Sequence, residues 1–412
     1  MTRETDPGAT VPALRKEVDR RTSQTRPHDT RVVVLSAILS VLLTGLIGLL
    51  VHPFDPDRAC CDHLFYRSMS YNLFTVTRPD LNVPPRGNPL PSVYGRARFR
   101  SLSPLNGLNR QPPYAFRIVT PLLARLVAYA TGINAAYYLI SFLALAGAAV
   151  FIALSIFKLT SSQIPAMAGA VLFLVHPFSA RFNLHRFMLT DPLAFLLTAL
   201  AIWGLVQRNR ALFFVACAFG VLNKESMLPM LIAYPLTEAW IEHQVRWTSV
   251  AAVLGITIVW FAFRLAMPIP VNTYSPASEF RGGLRHVELM AGAGILAFGV
   301  MLPAAVRRPW GSRLMVALVP FALACILEAW FVDDLERVMA QALPAICVVL
   351  LWWWPTERSE KLLTLAVVPL ATLAAIVYSL GWHFWTMAPT LVALAVEIQL
   401  VLLARQRGAP AL

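Results

Sequence analysis

The chain has 412 residues, 57% of them hydrophobic and only 14% charged, with a mean hydropathy of +0.61. Soluble proteins carry about 25% charged residues, so this composition excludes a cytosolic globular enzyme, a disordered chain and a fibrous one. The net charge of +13 lies in tails and loops, without zinc-finger spacing or a basic-aromatic module. That excludes nucleic acid as the partner and leaves anionic lipid headgroups or phosphorylated lipids.

Residues 1–31 are polar and Arg-rich and read as a cytosolic tail. Val32 to Val51 is the first apolar run. A long polar stretch precedes it and no small-x-small site follows, so it is a retained helix and not a cleaved signal peptide. Residues 52–132 form a large first outer loop, opening with "HPFDPDRACCDHLFYRSMSYNLF" and closing with "NRQPPYAFRIVTPLLARLVAYATG". Arg117 and Arg125, set among aliphatics at helical spacing, predict an amphipathic helix lying in the interface. Further spans are expected near 133–157, 164–178, 188–206, 211–223, 226–241, 247–267, 288–306, 313–331, 337–354, 361–381 and 384–404. A bilayer core takes about 20 apolar residues per helix, and with the first run these make about twelve spans. The pair around "LNKES" is short, which predicts a broken or shallow passage there. Residues 32–404 thus read as one all-α polytopic membrane domain, and 405–412 as a second cytosolic tail. No internal repeat is visible, which weakens a transporter reading.

Basic residues in short loops set orientation. Lys158, Arg208, Arg210, Arg246, Arg307, Arg308, Arg313, Arg358 and Lys361 fall on the side of the N-terminus, with Arg405 and Arg407 at the end of the chain. Both termini are therefore expected in the cytoplasm of a cell whose inner membrane holds the protein, with 52–132 outside. Cys60 and Cys61 are adjacent and give no disulfide framework, whereas Cys217, Cys325 and Cys347 sit in apolar runs as small hydrophobes.

Ionisable residues in or beside spans are costly, so each is read both as a site and as a support. Asp55, Asp57 and Asp62 follow the first helix, and Asp62 stands one helical turn before Tyr66. A carboxylate at the membrane surface serves as a general base towards a hydroxyl; a solvated acidic patch is the plainer reading. In "FNLHRFMLTDPLAF", Thr190 or Asp191 caps a helix whose first turn holds Pro192, or Asp191 joins His185 and Arg186 in an outer polar pocket. Lys224 and Glu225 lie at a membrane-depth break and, as neighbours, must find separate partners. Lys224 either neutralises a phosphate or forms a structural ion pair. Arg117 contacts phosphate or snorkels, and Arg337, in "VDDLERVMAQALP", is placed to meet an anion. Arg264, Glu328 and Glu397 are expected to pair with other helices. The sequence holds no HExxH or CxxC metal spacing, phosphate-binding Gly-rich loop or GxSxG elbow. Any activated substrate must therefore come from the membrane.

The order of these features resembles the glycosyltransferase C superfamily of polytopic membrane enzymes, which includes protein mannosyltransferases and aminoarabinose transferases. The resemblance runs over about residues 32–240: one helix, an outer loop with Asp62 and Tyr66, "FRIVTPLLARL", "TDPLAFLLTAL" and "GVLNKESMLP". The later "ERVMAQALPAI" resembles another recurring stretch of that superfamily. The resemblance implies inverting transfer of a sugar from a polyprenyl-phosphate donor to a glycan, lipid or protein acceptor. It places the base at Asp62, with Asp55 or Asp57 as substitutes, and the phosphate near Arg117, Lys224 and Arg337. Relatives often have paired acids where this chain has Asp62-His63. No cofactor is implied, although some relatives use a divalent metal. The competing readings are a transporter or flippase of a lipid-linked sugar, and a glycan polymerase or ligase.

Overall fold

The computed structural model describes residues 27–53, 66, 70, 117–176, 178–266, 313–329, 340–352 and 395. Among these the chain is helical throughout, without strands. Three helices are long and apolar enough to cross a membrane: Thr30–Leu50, Ile133–Thr160 and Trp247–Leu265. The spans expected at 288–306 and 361–381 lie outside the described residues, as does all but residue 395 of that at 384–404.

Helix α1 (Pro27–Leu50) has 24 residues and leads towards the outer loop. Helix α2 (Val119–Thr131) has 13 residues, about 20 Å of helix, too short to cross the hydrocarbon layer. It buries Val119, Thr120, Pro121 and Ala124 while exposing Leu126 and Tyr129, the one-sided pattern expected of this segment. Gly132, at φ 80° in a region that side-chain-bearing residues avoid, lets α3 (Ile133–Thr160) start at the next residue. Helix α3 is the central strut, packing against α1, α2, α4 (Gln163–Val175) and α6 (Asp191–Val206). Its buried face carries Ala144, Ala148, Ala149 and Ala153, small residues that admit close neighbours.

Between α4 and α6 the sequence reading expected only an outer loop. The structure has a short helix there, α5 (Ala180–His185), pinned where Asn183 Nδ2 donates to the carbonyls of Phe178 (2.9 Å) and Ser179 (2.8 Å). Short local bonds from an Asn side chain form such turns without leaving a periodic apolar signal.

Helix α6 turns back into α7 (Arg210–Asn223) through a tight connection with Arg208 at φ 57°. Asn209 caps α7 by accepting from the Leu212 amide at 3.0 Å. A 3-10 segment, Glu225–Ile232, then leads to α8 (Ala233–Ile241) and α9 (Trp247–Ala266). Helix α10 (Arg313–Ala329), a 3-10 turn (Ala340–Ala342) and α11 (Leu343–Trp352) complete the described chain. The predicted break at "LNKES" is thus real: α-helix gives way to a 3-10 run containing Pro229.

The core joins faces of α3, α4, α6, α7, α10 and α11, with Phe173 and Phe195 edge to face at 5.5 Å. Helix α9 differs, with only 6% of its most apolar window buried. Its exposed Leu254, Ile258, Val259, Phe261 and Leu265 form an apolar surface suited to lipid.

Reversals between helices sort the connections into two ends. The starts of α3 and α6, the ends of α1 and α7, and α5 lie together, joined by hydrogen bonds such as Asn223 to Thr190 (2.8 Å) and Ser141 to Phe187 (2.7 Å). At the other end Arg210 donates to Thr248 (2.7 Å) and Glu238 (2.9 Å), so Glu225–Ile241 returns the chain across the bundle.

Candidate functional site

The site is built on the α7 break. Helix α7 ends at Asn223, and Lys224 has extended backbone (φ −158°, ψ 125°), so Leu222 to Glu225 address different neighbours. The Leu222 carbonyl accepts from the Ile118 amide at 3.1 Å. Asn223 Oδ1 accepts from the Thr120 amide (3.2 Å) and hydroxyl (2.6 Å), while Nδ2 donates to the Thr190 carbonyl at 2.8 Å. One amide side chain thereby joins the starts of α2 and α6 to the end of α7.

Lys224 and Glu225 take separate partners. Lys224 Nζ donates to Asp191 Oδ1, and Gln341 Nε2 donates to the same oxygen at 3.0 Å. Asp191, Lys224 and Gln341 are all buried. A charge without water needs an opposite charge beside it, and here each ion supplies the other's. Glu225 receives a two-point contact from Arg117, Nε to Oε2 at 3.0 Å and Nη2 to Oε1 at 2.6 Å. The Arg117 side chain is 8% exposed and that of Glu225 is 23% exposed.

Arg117 reaches onward through Nη1 to the Tyr66 hydroxyl at 3.1 Å. The Tyr66 carbonyl accepts from the Tyr137 hydroxyl of α3 (2.8 Å) and from the Ser70 hydroxyl (3.0 Å). These bonds tie Tyr66 and Ser70 to the bundle next to the guanidinium. Glu328 on α10 lies within electrostatic reach of this cluster: the like charge of Glu225 opposes its ionisation, and Lys224 and Arg117 favour it.

The titration of the outer pair follows from this geometry. Burial alone raises a carboxyl pKa, but the Arg117 guanidinium overrides it and holds Glu225 down at about 2. Burial likewise disfavours the Arg117 charge, yet Glu225 and Tyr66 raise its pKa well above the ordinary value. Both groups lie at the break, outside the spans, and both are charged at neutral pH.

Tyr66, Arg117, Asp191, Lys224 and Glu225, widely separated in sequence, thus form two adjoining networks. Arg117 lies in a buried ion pair, an outcome that neither snorkelling nor free phosphate contact describes. Thr190 makes no side-chain cap bond, and Asp191 instead faces Lys224 and Gln341. His185 stands apart: its Nδ1 donates to the His52 carbonyl at 2.7 Å, beside the end of α1. Arg264 lies over the Trp260 ring at 5.1 Å, on its own helix. Asp55, Asp57, Asp62, Arg337 and Glu397 lie outside the described residues.

Sequence reasoning missed Gln341, Thr120 and Tyr137. Gln341 had a weak signal, a single amide inside the apolar run "VMAQALPAI"; Thr120 and Tyr137 had none, being ordinary helix residues by composition. Among the described residues no group of His, Cys, Asp and Glu could hold a metal ion. No known protein family, curated protein or solved structure matches this chain.

Proposed function

We propose that the protein is a membrane glycosyltransferase that takes a sugar from a polyprenyl-phosphate donor and passes it to an acceptor outside the cytoplasm. The observation that carries the reading is the joining of Tyr66, Arg117, Glu225, Lys224 and Asp191 at one end of the bundle. Tyr66, which stands four residues after Asp62 in the sequence, is anchored at the cation-bearing break.

In this scheme Asp62 takes the acceptor hydroxyl proton as the oxygen attacks the anomeric carbon. The bond to the donor phosphate breaks on the opposite face, and the polyprenyl phosphate leaves with its electrons. Arg117 is the cation assigned to that charge, and to meet it Arg117 exchanges part of its contact with Glu225 for the phosphate. Lys224 and Asp191 are fully buried and act by position and field, fixing the start of α6 against the break. Preorganised donors at a developing charge contribute about 3–4 kcal/mol each. A general base adds about 100-fold or more.

Charged residues in the described spans sit near helix ends: Lys158 in α3, Asp191 in α6, Arg210 in α7. A transport path for a sugar headgroup needs polar groups at mid-bilayer, so this distribution favours surface chemistry. The test is to express Asp62→Asn beside the unaltered chain and follow transfer from a radiolabelled polyprenyl-phosphate sugar in membranes, with surface glycans read by mass spectrometry. The expected result is a loss of about 100-fold or more in transfer. Equal products at equal protein levels would sink the assignment.

A further inference from the structure

A second feature of the same end shares no residue with the network above. A cavity of about 430 Å³ opens where α1 ends against α5. Its apolar wall is Leu50, Phe178 and Phe182, and its polar rim is Arg181, His185 and His52.

The wall is rigidly built. Phe178 and Phe182 pack with ring centroids 5.8 Å apart, and the Arg186 guanidinium lies over the Phe182 ring at 5.3 Å. Asn183, one residue from Phe182, ties the turn to the Phe178 and Ser179 carbonyls. A carbonyl can only accept, so His185 Nδ1 carries the proton in its bond to His52, and the ring is held at the rim. Leu50 is the last residue of a candidate membrane span, and Leu46, Leu49 and Leu50 are exposed on its surface. The cavity therefore lies at the depth of the lipid headgroups, with apolar helix surface on its membrane side.

We infer that this cavity binds the headgroup of an anionic phospholipid, its phosphate at Arg181 and His185 and its acyl chains along the exposed leucines of α1. The warrant is complementarity: basic residues at a membrane-helix end attract anionic headgroups, and the apolar wall accepts the glycerol and upper acyl carbons. The site does not depend on sugar transfer.

The test uses the purified full chain in detergent, titrated with dioleoylphosphatidylglycerol or dioleoylphosphatidylcholine and read by native mass spectrometry. The expected result is preferential, tight binding of one phosphatidylglycerol. In the Arg181→Gln/His185→Gln variant that binding falls about tenfold, while Arg181→Lys retains it. Arg181 is exposed, and an unchanged thermal midpoint without lipid certifies the fold of each variant. Equal binding of the two lipids reduces the cavity to an apolar groove and overturns the proposal. Undiminished binding in the double variant overturns it too. Displacement of the lipid by millimolar inorganic phosphate assigns the site to a free anion and equally defeats it.

Discussion

Lys224 shows how strongly burial constrains a single side chain. Lys224 faces Asp191 in a buried ion pair, and removing one partner leaves the other charge buried alone. Lys224→Met is therefore expected to cost about 3–5 kcal/mol of stability, measured by thermal or chemical unfolding in detergent. The Asp191→Leu/Lys224→Met double variant removes both charges and is expected to recover most of that loss. A double variant as unstable as the single one would show that the pair is not the relevant unit. Glu225 makes a different, pH-dependent contribution. Its folded pKa is depressed from the ordinary 4.5 to about 2, so the Arg117 pair stabilises fully above about pH 4.5 and fades as pH falls through 2. Glu225→Gln is expected to lower stability at neutral pH and to flatten the stability profile between pH 5 and about 2. A variant profile as steep as that of the unaltered protein would exclude this pair as the source.

At the scale of elements, two junctions hold the helices in register. A Cβ added at Gly204 of α6 would lie 2.8 Å from the Phe213 backbone nitrogen of α7, a contact that moving one side chain cannot relieve. Gly204→Ala is accordingly expected to cost about 1–3 kcal/mol by forcing the two helices apart. Gly255→Ala in α9, where nothing lies within 4 Å of the added atom, is the control and is expected to be neutral or slightly stabilising. Similar melting for the two variants would contradict the close approach. The other junction is Asn223, which bridges Thr120 and Thr190. Asn223→Ala leaves buried donors and acceptors without partners and is expected to destabilise by about 1–3 kcal/mol. Limited proteolysis provides the second readout, with faster cleavage near α2 if this amide holds it. The break itself was legible in the sequence, because "LNKES" puts charges and an amide inside an apolar run. The partner helices were not, since hydrogen bonds spanning 103 and 150 residues leave no periodic trace.

For the molecule as a whole, the described helices place Lys158, Arg208, Arg210 and Arg246 at the bundle end opposite Tyr66 and Arg117. By the positive-inside rule that end is the one proposed to face the cytoplasm. In a cysteine-depleted background, Pro53→Cys is expected to react with a membrane-impermeant maleimide in intact cells, and Arg208→Cys only after permeabilisation. The reverse pattern would turn the protein over and place the proposed chemistry in the cytoplasm. Composition and hydropathy alone determined that this chain is a helical membrane protein, because apolar length is a local property that any window of sequence displays. The same local signals located the break and marked Lys224 and Glu225 as residues in need of partners. Only the tertiary structure decided that Lys224 meets Asp191 and Gln341, that Glu225 meets Arg117, and that His185 belongs to a separate cavity. Such pairings depend on how helices distant in the chain come together, and packing geometry, unlike hydropathy, is not written at any single position.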